Sequence, residues 1–419
     1  MIKTVTLTHP SGVLKGTIQL PASKSESNRA LIIAALSGQE SELHNVSEAN
    51  DTQLLQRLLQ STDETIDAED AGTVMRFLTA YYAITGQQKT LTGTERMCQR
   101  PIQVLVEALR ELGAGIAYLG EEGYPPLKIT GFEGNGNNRL KVRSDISSQY
   151  ISALLMVAPL LPEGLVLELE GKIGSRPYIE MTLSLMRHFG VSAEFGGNTI
   201  TVPHQSYKPA SFEVEPDWSA ASYWYSLVAM AKEADILLPG LKEKSLQGDR
   251  AIVDIMRRLG VHTAFSQEGV RLTKKHSEKR ISCDFSNYPD LAQTVVAVCA
   301  ALGINLEMTG VESLRIKETD RIQALQIEVL TLGASLEEYA PGVFQMKPSI
   351  IKNRRFVFRT YQDHRMAMAF APLALLEPIE IQEPEVVRKS YPRFWEDLAR
   401  VGFELSYKEQ QYGEKAPVR

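Results

Sequence analysis

Five stretches of the chain repeat one order of hydrophobic and polar positions. Each opens on an Asp, runs into a helix of small and apolar residues, and passes to a β-rich stretch ending in Gly or Pro. An amphipathic helix and further strand signals follow. The leading acids are Asp70 (DAGTVMRF), Asp145 (DISSQYIS), Asp217 (DWSAASYW), Asp290 (DLAQTVVA) and Asp363 (DHRMAMAF), at successive spacings of 75, 72, 73 and 73 residues. The second helices read PIQVLVEALRELG, PYIEMTLSLMRHFG, DRAIVDIMRRLG, DRIQALQIEVLTLG and YPRFWEDLARVG. Their closing glycines, Gly113, Gly190, Gly260, Gly333 and Gly402, stand where a left-handed residue ends a helix. A shorter opening unit runs from Ser23 through SELHNV to a helix near Asp51. Near-constant spacing over five copies is the mark of a repeat architecture, here six βα units.

The ends of the chain complete this pattern. The last unit has FELSY after Gly402 and then a polar tail, so it lacks closing strands. The first 20 residues read as a hairpin around Pro10-Ser11-Gly12, which would complete the sheets of the C-terminal half. The expected division is then 1–21 plus 216–419 as one lobe and 22–215 as the other. The hinges fall near 20–22 and 215–217.

Composition narrows the function classes. With 419 residues, 43% of them hydrophobic, the chain can bury a large core without staples. Acids outnumber bases, 51 to 45, for a net charge of −6, which argues against a nucleic-acid partner. Three scattered cysteines (Cys98, Cys283, Cys299) build neither a disulfide framework nor a zinc site, and point to a reducing cytoplasm. No signal peptide is expected in MIKTVTLTHPSG, and ISALLMVAPLL is too short to span a membrane.

The basic residues are placed against this acidic background. Lys24 and Ser25 open a helix, with Arg29 one turn on. Lys317, Glu318 and Arg321 fall on one face of a first turn, and Arg100 precedes a proline at a helix start. His364 with Arg365, and Arg388 with Lys389, sit at unit junctions. Cations at helix N-termini oppose the dipole, and a bound polyanion would offset that conflict. The pattern points to a cavity for small molecules bearing phosphate and carboxylate. The leading acids serve either as helix N-caps or as members of that site. Glu318 either pairs with Arg321 along the helix or acts as a base, and Asp290 is the second candidate base. No G-x-x-x-x-G-K-[ST] loop, no G-x-G-x-x-G after a strand and no H-E-x-x-H occurs.

In this order and with these gaps, LPASKSESNRAL, DAGTVMRF, RMCQRPI, SDISSQY, SRPYIEMTL, PDLAQT, RIKETDR and DHRMAM resemble the 5-enolpyruvylshikimate-3-phosphate synthase family over residues 13–402. The resemblance implies an α/β (α+β) fold of two lobes, each of three βαβαββ units with the helices inside (an inside-out α/β barrel), and an active site in the cleft between them. It implies a transferase that moves the enolpyruvyl group of phosphoenolpyruvate onto the 5-hydroxyl of shikimate 3-phosphate and releases phosphate, in chorismate and aromatic amino acid biosynthesis. No metal or organic cofactor is expected, and a monomer is the family habit. Lys24, Ser25, Arg29, Ser147, Ser148, Gln149, Ser175, Asp290 and Lys317 match the family's shikimate 3-phosphate ligands. Lys24, Gly72, Arg100, Gln149, Arg321, Arg365 and Lys389 match its phosphoenolpyruvate cage. Asp290 corresponds to the acid that receives the hydroxyl proton, Glu318 to the acid engaged at the methylene carbon, and Lys24 joins them as a catalytic group. The chain departs from the family pattern at Asp70 (commonly Asn), Phe77 (usually Pro) and Ser313 (Asn in some members). Asp70, an extra carboxylate near phosphoenolpyruvate, is expected to turn away or to cap its helix.

The rival of the same architecture is UDP-N-acetylglucosamine enolpyruvyl transferase, whose members carry a reactive Cys five residues before the arginine of the R-P pair. Here that position is Glu95, and Cys98 stands two residues before Arg100. A non-catalytic repeat scaffold would explain the periodicity but not basic helix starts with embedded Asp and Glu.

Overall fold

The computed structural model describes residues 2–144, 147–348 and 356–410. Asp145, one of the five leading acids, lies outside the described residues. The chain divides into two compact units. One is Ala22–Glu215 with Leu246–Gly248, and the other takes the described parts of Met1–Pro21, Pro216–Ser245 and Asp249–Arg419.

One pairing pattern recurs in the four-stranded sheets of both units: two parallel strands, a third antiparallel to the second, and a fourth antiparallel to the third. In the unit of Ala22–Glu215, Thr65–Asp67 pairs parallel with Lys89–Thr92, which continues antiparallel through Leu127–Phe132 to Ala114–Tyr118. Arg139–Arg143, Leu165–Glu170, Thr199–Val202 and Glu194–Gly196 repeat that order, and Glu42–His44 with Ser211–Glu213 forms a two-stranded parallel sheet. The other unit contains three four-stranded sheets of the same design. Parallel neighbours need a long crossover, and in four of the five four-stranded sheets it runs through the small-residue helix that the repeat predicts, whereas Val13–Thr17 and Glu233–Pro239 are joined by residues 18–232.

Those crossover helices are buried on every face. Gly72–Ile84, Ser148–Val157, Trp218–Met230, Ala292–Leu302 and His364–Phe370 expose almost nothing, which is why their sequences lack a polar stripe. The second helices, such as Gln103–Glu111 and Arg321–Thr331, bury one side only. Gly113, Gly190, Gly260, Gly333 and Gly402 all adopt positive φ, between 81° and 100°, and close those helices as the pattern requires.

The expected N-terminal hairpin does not form. Ile2–Thr8 pairs antiparallel with Ile379–Gln382 and Glu404–Gln410, whereas Val13–Thr17 pairs parallel with Glu233–Pro239 in a different sheet. An isolated two-stranded hairpin is marginal in water. Here each strand completes a four-stranded sheet and buries Val5, Leu7 or Leu14 in the core of the C-terminal half. Among the described residues no helix is long and apolar enough to cross a membrane.

Candidate active site

Local capping decides where the polar side chains of the Ala22–Glu215 unit point. Ser23 caps helix Lys24–Ser37 by accepting the Glu26 N–H, while the Glu26 carboxylate takes the Glu215 N–H at 3.0 Å. Lys24 is thereby the first helical residue, where the dipole disfavours a cation. Its ammonium lies 3.0 Å from the buried Asp51 carboxylate, which offsets the conflict.

Arg29, one turn on, is fully enclosed. Nε donates to Thr182 Oγ1 (2.8 Å), Nη2 to Ser152 Oγ (3.0 Å) and Nη1 to the Ser25 carbonyl (2.9 Å). Its guanidinium lies 5.4 Å from the Phe77 ring centroid and 5.7 Å from that of Tyr178. Burial pulls its pKa down to about 10. Phe77, a departure from the family pattern, therefore presents an aromatic ring to a candidate phosphate ligand.

Gly72 opens helix Gly72–Ile84, with Ala71 as N-cap. Asp70 is exposed, and its carbonyl meets Arg100 Nη1 at 3.5 Å. A Cβ at Gly72 would stand 2.6 Å from Arg76 Nη1 and 2.7 Å from Arg100 Nη2, so the missing side chain is what lets two guanidiniums crowd the helix start. Arg76 lies in DAGTVMRF, where sequence alone assigns it no role. It donates to the Gly72 carbonyl (2.9 Å) and the Pro101 carbonyl (3.3 Å), joining the Gly72 turn to the segment that carries Arg100. Its i+4 spacing from Gly72 puts it on the face of the helix start. Pro101 itself is not at a helix N1, since the helix starts at Gln103 with Ile102 as N-cap.

Ser147 caps helix Ser148–Val157 by accepting the Gln149 N–H, and Gln149 Nε2 reaches Thr73 Oγ1 at 3.1 Å, next to Gly72. Ser175 holds φ 53° before helix Arg176–His188, and its hydroxyl does not cap that helix. Two helix N-termini with half-buried hydroxyls suit an anion.

In the other unit the predicted residues converge on Arg321. Its side chain is 2% exposed and meets three acids: Nε to Asp363 Oδ2 at 2.6 Å, Nη1 to Asp290 Oδ1 at 2.9 Å and Nη2 to Glu318 Oε2 at 2.8 Å. Arg365 Nη2 holds the second oxygen of Asp290 at 2.8 Å, and Lys389 lies 3.7 Å from Glu318. Contrary to what their spacing implies, Lys317 and Glu318 are not in a helical first turn. They lie in the link before Asp320, which caps helix Arg321–Thr331. Asp363 and Asp217 are true caps, accepting the Arg365 and Ser219 N–H groups, while Asp290 sits in a short 3-10 turn with its carboxylate on the two arginines.

The electrostatics follow from these contacts. Burial pushes the Asp290 carboxyl up, but Arg365, Lys317 and Arg321 outweigh it and hold the group below the ordinary carboxylate range. Burial disfavours the Arg321 charge, yet Asp363, Glu318 and Asp290 fix it in place. Asp249, buried and unforeseen from sequence, takes a short hydrogen bond from the Ser219 hydroxyl. Burial, reinforced by the Asp290 charge, pushes Asp249 up to about 7. An interleaved set of arginines, lysine and carboxylates can hold a polyanion while moving protons near it. Among the described residues no group of His, Cys, Asp and Glu could hold a metal ion.

A sequence model described as EPSP synthase (3-phosphoshikimate 1-carboxyvinyltransferase) matches residues 8–69 and 56–398. The chain belongs to the EPSP synthase family. A 3-phosphoshikimate 1-carboxyvinyltransferase of Bacteroides fragilis is 50% identical over 408 residues, covering 96% of this chain and 99% of the relative. One from Cellvibrio japonicus is 35% identical, covering 94% and 98%. The solved EPSP synthase of Acinetobacter baumannii superposes with a TM-score of 0.76 at 20% identity, over 97% of this chain and 100% of that one. That last likeness extends the family fold, two lobes of βα repeats, to this chain.

Proposed function

We propose that the protein transfers the enolpyruvyl group of phosphoenolpyruvate to the 5-hydroxyl of shikimate 3-phosphate, giving 5-enolpyruvylshikimate 3-phosphate and inorganic phosphate. The family match over most of the chain supports the reaction. The observation that carries the assignment of roles is the Arg321 cluster, in which the two candidate acid–base carboxylates share one guanidinium. Transfer to UDP-N-acetylglucosamine is not favoured, because Glu95 stands where that chemistry would use a cysteine.

In this reading Arg100, Arg321, Arg365, Lys389 and Lys24 bind the carboxylate and phosphate of phosphoenolpyruvate, with Gly72 and Gln149 lining the same subsite. Lys24, Ser25, Arg29, Ser147, Ser148, Gln149, Ser175 and Lys317 bind the sugar phosphate and its ring hydroxyls. Asp290 accepts the 5-hydroxyl proton as that oxygen bonds to C2 of phosphoenolpyruvate, while the methylene carbon gains a proton under Glu318 and Lys24. The reverse proton transfer at that carbon then accompanies cleavage of the C2–O bond to phosphate. Before substrate arrives, Asp290 is a poor base because two arginines hold its proton site. Once substrate oxygens draw on those guanidiniums their hold on Asp290 loosens, so its basicity rises when there is a proton to take. The reading extends to a cytoplasmic monomer, in keeping with one half-buried and two buried free thiols.

Purified protein given phosphoenolpyruvate with either acceptor tests the reaction. Phosphate release with shikimate 3-phosphate and none with UDP-N-acetylglucosamine is expected. The opposite pattern would replace this reading with the rival one.

A further inference from the structure

The segment that delivers Asp363 and Arg365 to the cluster is a tight turn in an uncommon conformation. The Asp363 N–H bonds to the Thr360 carbonyl at 2.9 Å, and the two residues between them, Tyr361 and Gln362, have φ of 54° and 57°. Positive φ at both central positions is the pattern of a type I′ turn, a place for Asn, Asp and Gly. Two bulkier residues stay there only where their surroundings over-determine the backbone.

Two ties do so. The Tyr361 hydroxyl donates to Glu328 Oε1 at 2.6 Å, and Glu328 is buried with the Arg359 N–H as a further donor. Glu328 lies two turns beyond Arg321 on helix Arg321–Thr331, about 10 Å along its axis. The Thr360 hydroxyl donates to Glu383 Oε2 at 3.0 Å, and Glu383 immediately precedes the 3-10 helix Pro384–Lys389, which ends at Lys389. The turn is thus fastened on one side to the element bearing Arg321 and on the other to the element bearing Lys389. Neither tie reaches the ion-pair cluster itself.

We propose that Tyr361 and Glu328, with Thr360 and Glu383 as the second tie, are positioning residues that fix the spacing of Arg321, Arg365 and Lys389 for the two anionic groups of phosphoenolpyruvate. The inference rests on the reading of those three cations as phosphoenolpyruvate ligands. Loss of a tie lets the turn relax toward ordinary φ values and carries Asp363 and Arg365 away from Arg321. Binding of the polyanion that needs all three cations suffers first.

Steady-state kinetics of the full chain test it, with Tyr361→Phe, Glu328→Leu, Glu328→Gln and Arg365→Lys assayed side by side. Tyr361→Phe and Glu328→Leu are expected to raise KM for phosphoenolpyruvate roughly tenfold, the loss of one buried hydrogen bond, with KM for shikimate 3-phosphate within about twofold and kcat changed far less. Glu328→Gln keeps an acceptor for the Tyr361 hydroxyl and should stay near wild type. If Glu328→Leu does not fold, Tyr361→Phe, which removes a single oxygen, carries the test. An unchanged KM for phosphoenolpyruvate in Tyr361→Phe, or equal rises in both KM values, would overturn the positioning role, provided Arg365→Lys raises KM for phosphoenolpyruvate. If Arg365→Lys leaves that KM unchanged as well, the assignment of the cations has failed instead.

Discussion

The Asp290 carboxylate spans two arginines, and its contact with Arg365, 2.8 Å from Nη2 to Oδ2, is the largest attraction holding its charge. A carboxyl held below its unfolded value contributes stability above pH about 4, and that stability is lost as pH falls through the folded value. Arg365→Gln removes the largest opposing charge and lets burial push Asp290 back up. The acid-unfolding midpoint should therefore move to higher pH, read by circular dichroism between about pH 2 and 6. A midpoint unchanged or lower would mean that Arg321 and Lys317 alone set the Asp290 charge.

Asp249 gives the opposite slope. Its carboxyl is raised from 3.8 to about 7 by burial, so the folded protein binds a proton that the unfolded chain releases. That contribution is complete below pH about 4 and is lost as pH rises through about 7. Asp249→Asn should melt higher than wild type above pH 8, by the equivalent of roughly 2–4 kcal/mol, with the gap closing toward pH 4. Parallel melting curves at pH 5 and pH 8.5 check it. A gap that did not depend on pH would show that Asp249 stays ionised throughout.

At Gly72 a methyl group would stand under 3 Å from guanidinium nitrogens of Arg76 and Arg100, the mobile ends of long side chains. Those side chains yield, so Gly72→Ala should fold with an unchanged or slightly raised melting temperature. The displaced Arg100 should weaken phosphoenolpyruvate by about 1–2 kcal/mol, or roughly five- to thirtyfold in KM, with shikimate 3-phosphate unaffected. A variant with normal KM for phosphoenolpyruvate would place Arg100 outside the subsite.

What the sequence makes legible here is what depends on local spacing. The five closing glycines take the positive φ that their positions demand, and the crossover helices are buried because they lack a polar stripe. Pairing between distant strands is another matter. Pro10-Ser11-Gly12 reads as a hairpin turn, yet the flanking strands find better partners more than 200 residues away. The same holds within the site. Lys24, Gly72, Asp290 and Arg321 stand at helix starts and can be read from motif and spacing, whereas Asp249, Glu328 and Tyr361 carry no motif, and Arg76 lies in DAGTVMRF with nothing local to mark its role. Their roles come from burial and from partners on other elements, such as Pro101 for Arg76 and Ser219 for Asp249. Lys317 and Glu318 show the limit of helical spacing, since Asp320 caps the helix and leaves both in the link before it.

The division of labour between Asp290 and Glu318 is the centre of this mechanism, and solvent-deuterium exchange measures it most directly. Wild-type protein, Asp290→Asn and Glu318→Gln are incubated in D2O with phosphoenolpyruvate and shikimate 3-phosphate. Label in the methylene group and phosphate release are then followed together, alongside the melting temperature. Each acid–base role is worth on the order of 10²–10⁴ in rate, whereas a carboxylate that only completes the ion-pair cluster shows its loss in stability. Glu318→Gln should lose methylene exchange most severely, and Asp290→Asn should lose phosphate release at temperatures where the variant remains folded. Turnover within a few-fold of wild type in both variants, with lowered melting temperatures, would make both carboxylates structural and contradict the mechanism.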